Sequence, residues 1–291
     1  MGIARIFSTS INRVNHNKKM WFVIFGIQVI FAVTLIIPIR SEINKMIGHS
    51  LIGQEVLKGN GANVFFEFLA HHSETVSVEI KLLFIIGIIY LLSSIFLNGG
   101  IIGCFIKEDN EYSATLFFGS SGKYFGRFFR LFLLSIPFLI IAFLLSKGIS
   151  SFIKGISPDS EPLQVTAKII GYIILLFLIF FINMVFDYAK IRTVFQERRS
   201  MIMTTLRAMG FVLKNLGKTL GLYYIIAAVG LGFLIIYTIV GKLIPISRGF
   251  GIVLFFLWQQ MYALGRIWVK LLFLSSEIRL YKNIVPLSIN D

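Results

Sequence analysis

The chain has 291 residues, of which 56% are hydrophobic and only 14% are charged, and its mean hydropathy is +0.83. Soluble domains carry about 25% charged residues, so this composition excludes a purely soluble protein and requires lipid to solvate much of the surface. The formal charge of +14 does not indicate nucleic-acid binding, because no polar segment is long enough to hold a nucleic-acid-reading domain. The single cysteine, Cys104, excludes an internal disulfide.

Six uncharged apolar runs follow one another along the chain. A helix that crosses a bilayer needs about 20 apolar residues, so these runs predict six membrane spans and an all-α, polytopic helical bundle. The third run is short and contains Pro137, but flanking basic side chains can reach the interface from its ends. The N-terminal run lacks a small-residue cleavage site, so we interpret it as a retained span rather than a signal peptide. The predicted spans lie near residues 20–39, 82–106, 131–146, 169–186, 219–241 and 249–265.

The basic residues predict the orientation of these spans. They concentrate in residues 1–19, 107–130, 187–218 and 266–282, whereas the three connections on the opposite side carry far fewer. Because basic segments stay in the cytoplasm, both termini are predicted to be cytoplasmic. The chain is then one integral membrane domain. The partners predicted for it are membrane lipids, in particular the anionic headgroups of the cytoplasmic face, and a protein partner in a complex.

Two segments beside the first span carry helical patterns. Residues 1–19 are predicted to form an interfacial helix. The longest external segment, residues 40–80, is predicted to hold two amphipathic helices separated by a turn at residues 60–61. The side chains of the first segment that are expected to face lipid are Ile3, Phe7 and Val14.

Histidine and glutamate residues in the external segment form a weak candidate metal site. Glu67 and His71 would share a helix face, but two or three ligands without a convincing remainder make a weak site. We favour a polar rim on an outer-surface helix, and no metal or other cofactor is predicted. The weak candidates are His49, Glu67, His71 and His72.

Small residues mark two points near the cytoplasmic connection between the second and third spans. The run from Asn98 to Gly103 contains three glycines, which allow close contact between helices. Residues 119–122, Gly-Ser-Ser-Gly, are predicted to interrupt the connection. Three basic residues that follow share one helical face, and we predict that they bind the membrane surface or a partner. These residues are Lys123, Arg127 and Arg130.

Residues 197–218 are predicted to form a cytoplasmic amphipathic helix between the fourth and fifth spans. Apolar residues recur there at intervals of four, three, four and three, which places them on one stripe. Such a helix, basic on the other side, is typical of a membrane surface. The apolar stripe is Ile202, Leu206, Met209, Leu213 and Leu216. The basic residues, predicted to bind the membrane surface or a partner, are Arg207, Lys214 and Lys218.

Three segments share one order of features, which predicts an internal repeat of three hairpins, each introduced by an interfacial helix. Each begins with a weakly amphipathic stretch and continues through a polar, basic elbow into a hydrophobic hairpin. The segments at the cytoplasmic ends of the second and fourth spans also match, with Glu108 and Glu197 at equivalent positions. The C-terminal segment, with Glu277, is a looser third copy. The alternative is that basic flanks recur in any membrane protein.

This arrangement resembles the loosely defined bacterial inner-membrane proteins of the YciC type and the membrane domain attached to some glycerophosphodiester phosphodiesterases. The run SEINKMIGHSLIGQEVLKGNGANVFFEFLAHH is similar to the outer loop of uncharacterised bacterial six-span proteins. The resemblance covers most of the chain and implies a six-span fold in the inner membrane of a bacterium. It supplies no catalytic residue, and no phosphodiesterase domain is present, so it implies no activity.

A few polar residues lie within or beside the spans. Asp187 and Arg266 lie at the predicted cytoplasmic ends of the fourth and sixth spans, where an ion pair would join two helices. A proton-relay role for Asp187 is the less favoured alternative. Amide side chains within spans usually hydrogen-bond between helices, although they could instead line a polar cavity. The candidate cavity-lining amides are Asn98, Asn183, Gln259 and Gln260.

No catalytic motif accompanies these features. A phosphate loop, a serine nucleophile elbow and an HExxH metal motif are all absent from the sequence, and the predicted spans contain no charged residue. The sequence therefore predicts a non-enzymatic multi-pass membrane protein, a scaffold or an accessory subunit of a transport or envelope complex. The alternative is a carrier or permease for a lipid-like or neutral solute.

Overall fold

The computed structural model describes residues 2–47, 73–107, 112–156, 160–197, 200–245 and 249–285. In these ranges the chain is all-α. Six of the helices there, α2, α3, α4, α5, α7 and α8, are long and apolar enough to cross a membrane. The predicted fold class, an all-α polytopic helical bundle, is confirmed. In chain order the helices are α1 (Ile3–His16), α2 (Lys18–Ile47), α3 (Ser73–Ile106), α4 (Ala114–Ile156), α5 (Glu161–Gln196), α6 (Met201–Lys214), α7 (Leu216–Leu243) and α8 (Gly249–Ile284).

The chain forms two compact units, and the smaller one is Phe22–Ser94. It contains most of α2 and of α3, whose side chains Phe31 and Tyr90 meet edge to face with ring centroids 5.5 Å apart. Its apolar side chains are largely exposed, as expected for segments that lipid solvates. Much of the predicted external segment, including the turn at residues 60–61, lies outside the described residues. So do all four metal candidates, His49, Glu67, His71 and His72.

The larger unit, Met1–Trp21 with Ile95–Asp291, contains two helix pairs. Helix α4 packs along α5, and α7 packs along α8, as predicted for the second and third hairpins. Helix α6 packs on α5, and α1 packs on α8. Most of the buried side chains of this unit lie at one end of its long helices, which we call the packed end. It comprises α1, α6, residues 114–131 of α4, the first turns of α7, and residues 95–106, 184–196 and 267–284.

Small residues bring α3 and α4 together at the packed end. A Cβ atom added at Gly100 would lie 2.5 Å from Ser121 Oγ and 2.7 Å from the carbonyl oxygen of Phe117. One added at Gly103 would clash with Ser120. The predicted close contact at residues 98–103 is therefore confirmed, because no larger residue fits this crossing without a shift.

The structure corrects two predictions about α4. The Gly-Ser-Ser-Gly segment does not interrupt the chain, since residues 119–122 lie inside a helix of 43 residues. Ser120 and Ser121 face the glycines of α3, whereas Gly119 and Gly122 are exposed positions within the helix. The third span, predicted as residues 131–146, is the middle of this much longer helix, which continues through Pro137.

Asparagine elbows connect α1 to α2 and α6 to α7. Both short helices have 14 residues. Asn17 Nδ2 donates to the carbonyl of Arg13 at 2.9 Å, and Asn215 Nδ2 donates to the carbonyl of Phe211 at 2.9 Å. In each elbow the asparagine carbonyl also accepts a hydrogen bond at 3.0 Å from the backbone N–H three residues later. The matching geometry supports the predicted repeat for its first and third copies, whereas the second copy is unbroken helix.

Candidate functional site

A cavity of about 390 Å³ lies where the packed end meets the apolar parts of the spans. Helices α3, α5, α7 and α8 all contribute to its wall, so polar residues far apart in sequence meet there. We call it the α5–α8 cavity, because those two helices supply its charged side chains. Its polar lining residues are Asn98, Asn183, Asp187, Lys190, Tyr223, Arg266 and Lys270.

Helix α5 presents Asn183, Asp187 and Lys190 to the cavity, and their spacing of four and three places them on one face. Lys190 Nζ donates to Asp187 Oδ1 at 2.7 Å. This intrahelical ion pair corrects the predicted pairing of Asp187 with Arg266. Within the described part of the chain the two residues share the cavity wall but form no ion pair, since the carboxylate is already matched by a cation one turn along its own helix.

Helix α8 presents Arg266 and Lys270, one turn apart, to the same cavity. Arg266 is exposed and Lys270 is half-buried. Neither side chain forms a hydrogen bond or ion pair with any residue that the structure describes. Three cations and one carboxylate therefore line the cavity, and two of the cations have no counter-charge at contact distance among the described residues.

The remaining wall of the cavity is largely apolar. Gly230 leaves space opposite Val269, where an added Cβ atom would lie 3.4 Å from Val269 Cγ1. The ring of Tyr223 packs on Phe273 with centroids 4.9 Å apart. Phe233 continues the wall towards the apolar spans. The cavity therefore combines a cationic and amide side with an apolar side.

The four candidate cavity-lining amides fall into two pairs. Asn98 and Asn183 line the α5–α8 cavity, whereas Gln259 and Gln260 do not. Gln259 is exposed and Gln260 is half-buried. Their neighbour Trp258 donates from Nε1 to the carbonyl of Tyr237 at 3.1 Å, which joins α8 to α7 farther along the hairpin.

A buried glutamate lies on the cavity face of α8, one turn beyond Phe273 and Leu274. Glu277 is only 2% exposed, and among the described residues neither of its carboxylate oxygens has a hydrogen-bond partner. The hydroxyls of Tyr188 and Tyr281 are buried without partners in the same way. Glu277 lies near Asp187 and Lys190, but it is not one of the residues that line the cavity.

Helix α6 is shorter than the predicted 197–218, because it ends at Lys214 and Asn215 forms the elbow. Leu216 and Lys218 therefore belong to α7. The face of α6 that packs on the protein is not the predicted apolar stripe. That stripe is left uncovered, with Ile202 64% and Leu206 53% exposed. The buried face consists of Met201, Thr204, Thr205, Ala208, Phe211 and Val212.

Of the six basic residues predicted to bind the membrane surface or a partner, two have intramolecular roles. Lys123 donates to Glu197 Oε1, the residue at which α5 ends in a left-handed conformation, with φ 46°. The hydrogen bond from Lys123 and its positive charge hold the pKa of Glu197 below its usual value of 4.5. Arg127 lies over the ring of Tyr124, 5.7 Å from its centroid. Arg130, Lys214 and Lys218 are exposed, and Arg207 is half-buried.

Two cations that the sequence did not single out cap the end of α3. Arg13 from α1 donates to the carbonyl of Lys107 at 2.7 Å, and Lys282 from α8 donates to the carbonyl of Ile106 at 2.8 Å. The last carbonyls of a helix lack partners and carry partial negative charge, so both contacts stabilise the exit of α3. Val14, predicted to face lipid, is fully buried in the packed end, and Ile3 lies against Gly221 of α7.

No ligand set for a metal occurs in the described ranges, where no three histidine, cysteine, aspartate or glutamate residues come together. The structure forms a cavity lined by three cations and one carboxylate, and it leaves the apolar stripe of α6 uncovered. No protein-family model, curated protein or solved structure matches this chain.

Proposed function

We propose that this multi-pass membrane protein is a non-enzymatic scaffold or accessory subunit of a transport or envelope complex. Its packed end lies on the cytoplasmic side of a bacterial inner membrane. There α6 lies in the inner leaflet and holds the packed end against it.

The observation that carries this proposal is the division of α6 into three faces. At 100° per residue, the exposed stripe around Ile202 and Leu206 lies about 120° from Arg207 and Lys214. The third face is buried against α4, α5 and α7. A helix fixed to a protein on one side, apolar on the second and basic on the third suits the boundary between acyl chains and anionic headgroups.

Charge reversal of the basic face tests the proposal. In the variant Arg207→Glu/Lys214→Glu, each cation that is converted loses about 1 kcal/mol of attraction to an anionic surface. We expect complexes captured in mild detergent to lose anionic lipid or protein partners by several-fold, as measured by quantitative mass spectrometry of the pulled-down material.

The matched control is Lys168→Glu/Lys242→Glu, which reverses two exposed lysines on the side predicted to be external. We expect this control to retain the wild-type complement of lipids and partners. An α6 variant that folds and keeps the same lipids and partners as the control would count against the scaffold proposal.

A second candidate function, a carrier for a lipid-like solute, is favoured by the α5–α8 cavity. Carriers bind their solutes in cavities between helices, lined by a few polar groups. We expect Asn98→Leu/Asn183→Leu to abolish lipid or solute flux in proteoliposomes if the protein is a carrier. The control Gln259→Leu/Gln260→Leu alters two amides outside the cavity, so equal loss of flux in both variants would contradict transport through this cavity.

A further inference from the structure

The α5–α8 cavity carries more positive charge than its own residues balance. The wall carries one carboxylate, Asp187, and three cations, Lys190, Arg266 and Lys270. This leaves a formal excess of two positive charges. Asp187 already accepts from Lys190 at 2.7 Å. The two cations of α8 therefore lack a counter-charge among the described residues.

The chemistry of these groups fits a phosphate. A guanidinium presents a planar fork that matches two phosphate oxygens, and a lysine ammonium adds a point charge. The side-chain amides of Asn98 and Asn183 and the hydroxyl of Tyr223 are further hydrogen-bonding groups on the wall. A phosphate monoester carries about 1.5 to 2 negative charges at neutral pH, which matches the excess charge of the cavity.

The rest of the wall fits an acyl chain or the glycerol backbone of a lipid. Gly230, Phe233 and Val269 form an apolar side. Leu234, one turn beyond Gly230 on the same face of α7, is exposed on the span. The volume of about 390 Å³ falls within the range of roughly 300–1,000 Å³ typical of ligand sites. A molecule with a charged head and an apolar tail can use both sides at once.

We propose that the α5–α8 cavity is a binding site for the headgroup of one phosphate-monoester lipid, held by Arg266 and Lys270. This site is distinct from the exposed face of α6 and does not depend on whether the protein is a scaffold or a carrier. The same phosphate chemistry occurs in soluble monoesters, so the experiment includes both sources.

Native mass spectrometry of the full chain tests the site, with titrations of phosphatidic acid, phosphatidylcholine and glycerol 3-phosphate. We expect one phosphatidic acid to bind per chain in preference to phosphatidylcholine. Loss of charge-assisted hydrogen bonds in Arg266→Gln/Lys270→Gln should weaken this binding roughly tenfold or more. The control Lys18→Gln/Lys19→Gln removes the same charge from two exposed positions and should leave the affinity within about twofold.

A second variant addresses the cavity without changing its charge. Gly230→Leu fills the space beside Val269 and should also reduce binding, whereas Gly232→Leu, where an added Cβ atom meets nothing within 4 Å, should not. If glycerol 3-phosphate binds and both cavity variants weaken its binding, the site is supported and its ligand is a soluble monoester. Phosphatidic acid binding that is unchanged in both cavity variants would overturn it.

Discussion

The packed end and the apolar parts of α7 and α8 belong to the same unit but are organised in opposite ways. At the packed end Ile101, Leu131 and Leu271 are fully buried in protein. Along the spans, residues of similar hydrophobicity such as Ile236 and Leu257 are more than half exposed. Hydrophobic side chains in this chain therefore have two roles: they contact protein at the packed end and lipid along the spans.

Protein packing requires complementary shapes, whereas lipid adapts to the surface that it solvates. The packed end should therefore be sensitive to small changes of volume and polarity, and the spans should tolerate them. Variants matched between the two regions test this contrast directly.

The largest effect is expected at the α3–α4 crossing. In Gly100→Ala the new methyl group would lie 2.7 Å from the carbonyl oxygen of Phe117, which cannot move aside by a change of rotamer. We expect the free energy of unfolding to fall by about 1–3 kcal/mol, measured as a lower melting temperature in detergent.

The matched control lies in the same helix. A Cβ atom added at Gly87 meets nothing within 4 Å, so Gly87→Ala should be neutral or stabilising by about 0.5–1 kcal/mol, because alanine favours helix over glycine. Equal destabilisation by the two substitutions would contradict the distinction between packed and lipid-facing regions.

The sequence predicted much of the fold because long apolar runs are the strongest signal that a chain contains. It did not predict the packed end. Residues such as Ile101 and Ile102 were counted as part of a span, because a helix that is apolar on all sides does not indicate which side meets protein. Gly119 and Gly122 were interpreted as helix breakers because a Gly-Ser-Ser-Gly run is typical of a turn, whereas the two serines between them meet glycines of another helix.

The candidate site was predicted in part. Asn98, Asn183, Asp187 and Arg266 were all singled out, but separately, and Lys190 and Lys270 were missed. A usable signal existed, because Arg266 and Lys270 are one turn apart on α8. What the sequence lacks is the rotation of each helix about its axis, which decides whether two polar stripes meet in one cavity.

The second effect concerns Glu277, whose buried carboxylate has no hydrogen-bond partner among the described residues. An unsatisfied buried polar group costs about 1–3 kcal/mol. We therefore expect Glu277→Met, which keeps a similar volume, to raise the free energy of unfolding by about 1 kcal/mol or more, measured by thermal or denaturant unfolding. Glu277→Gln should give no such gain, since its amide also needs partners. A destabilised Glu277→Met would mean that a bound cation or another donor satisfies the carboxylate.

The smallest effect is expected at the surface of the packed end, where Lys123 pairs with Glu197. Because the pKa of Glu197 is held below 4.5 in the folded protein, the pair stabilises the fold above that pH and loses its effect as the pH falls through the lowered value. Glu197→Gln should thus be slightly less stable than wild type at pH 7, with the difference fading in acid and in high salt. Melting temperatures of Glu197→Gln, Lys123→Gln and the double variant, measured against pH, check this. Additive effects of the two single variants would contradict the pairing, since two residues that act through one contact must couple.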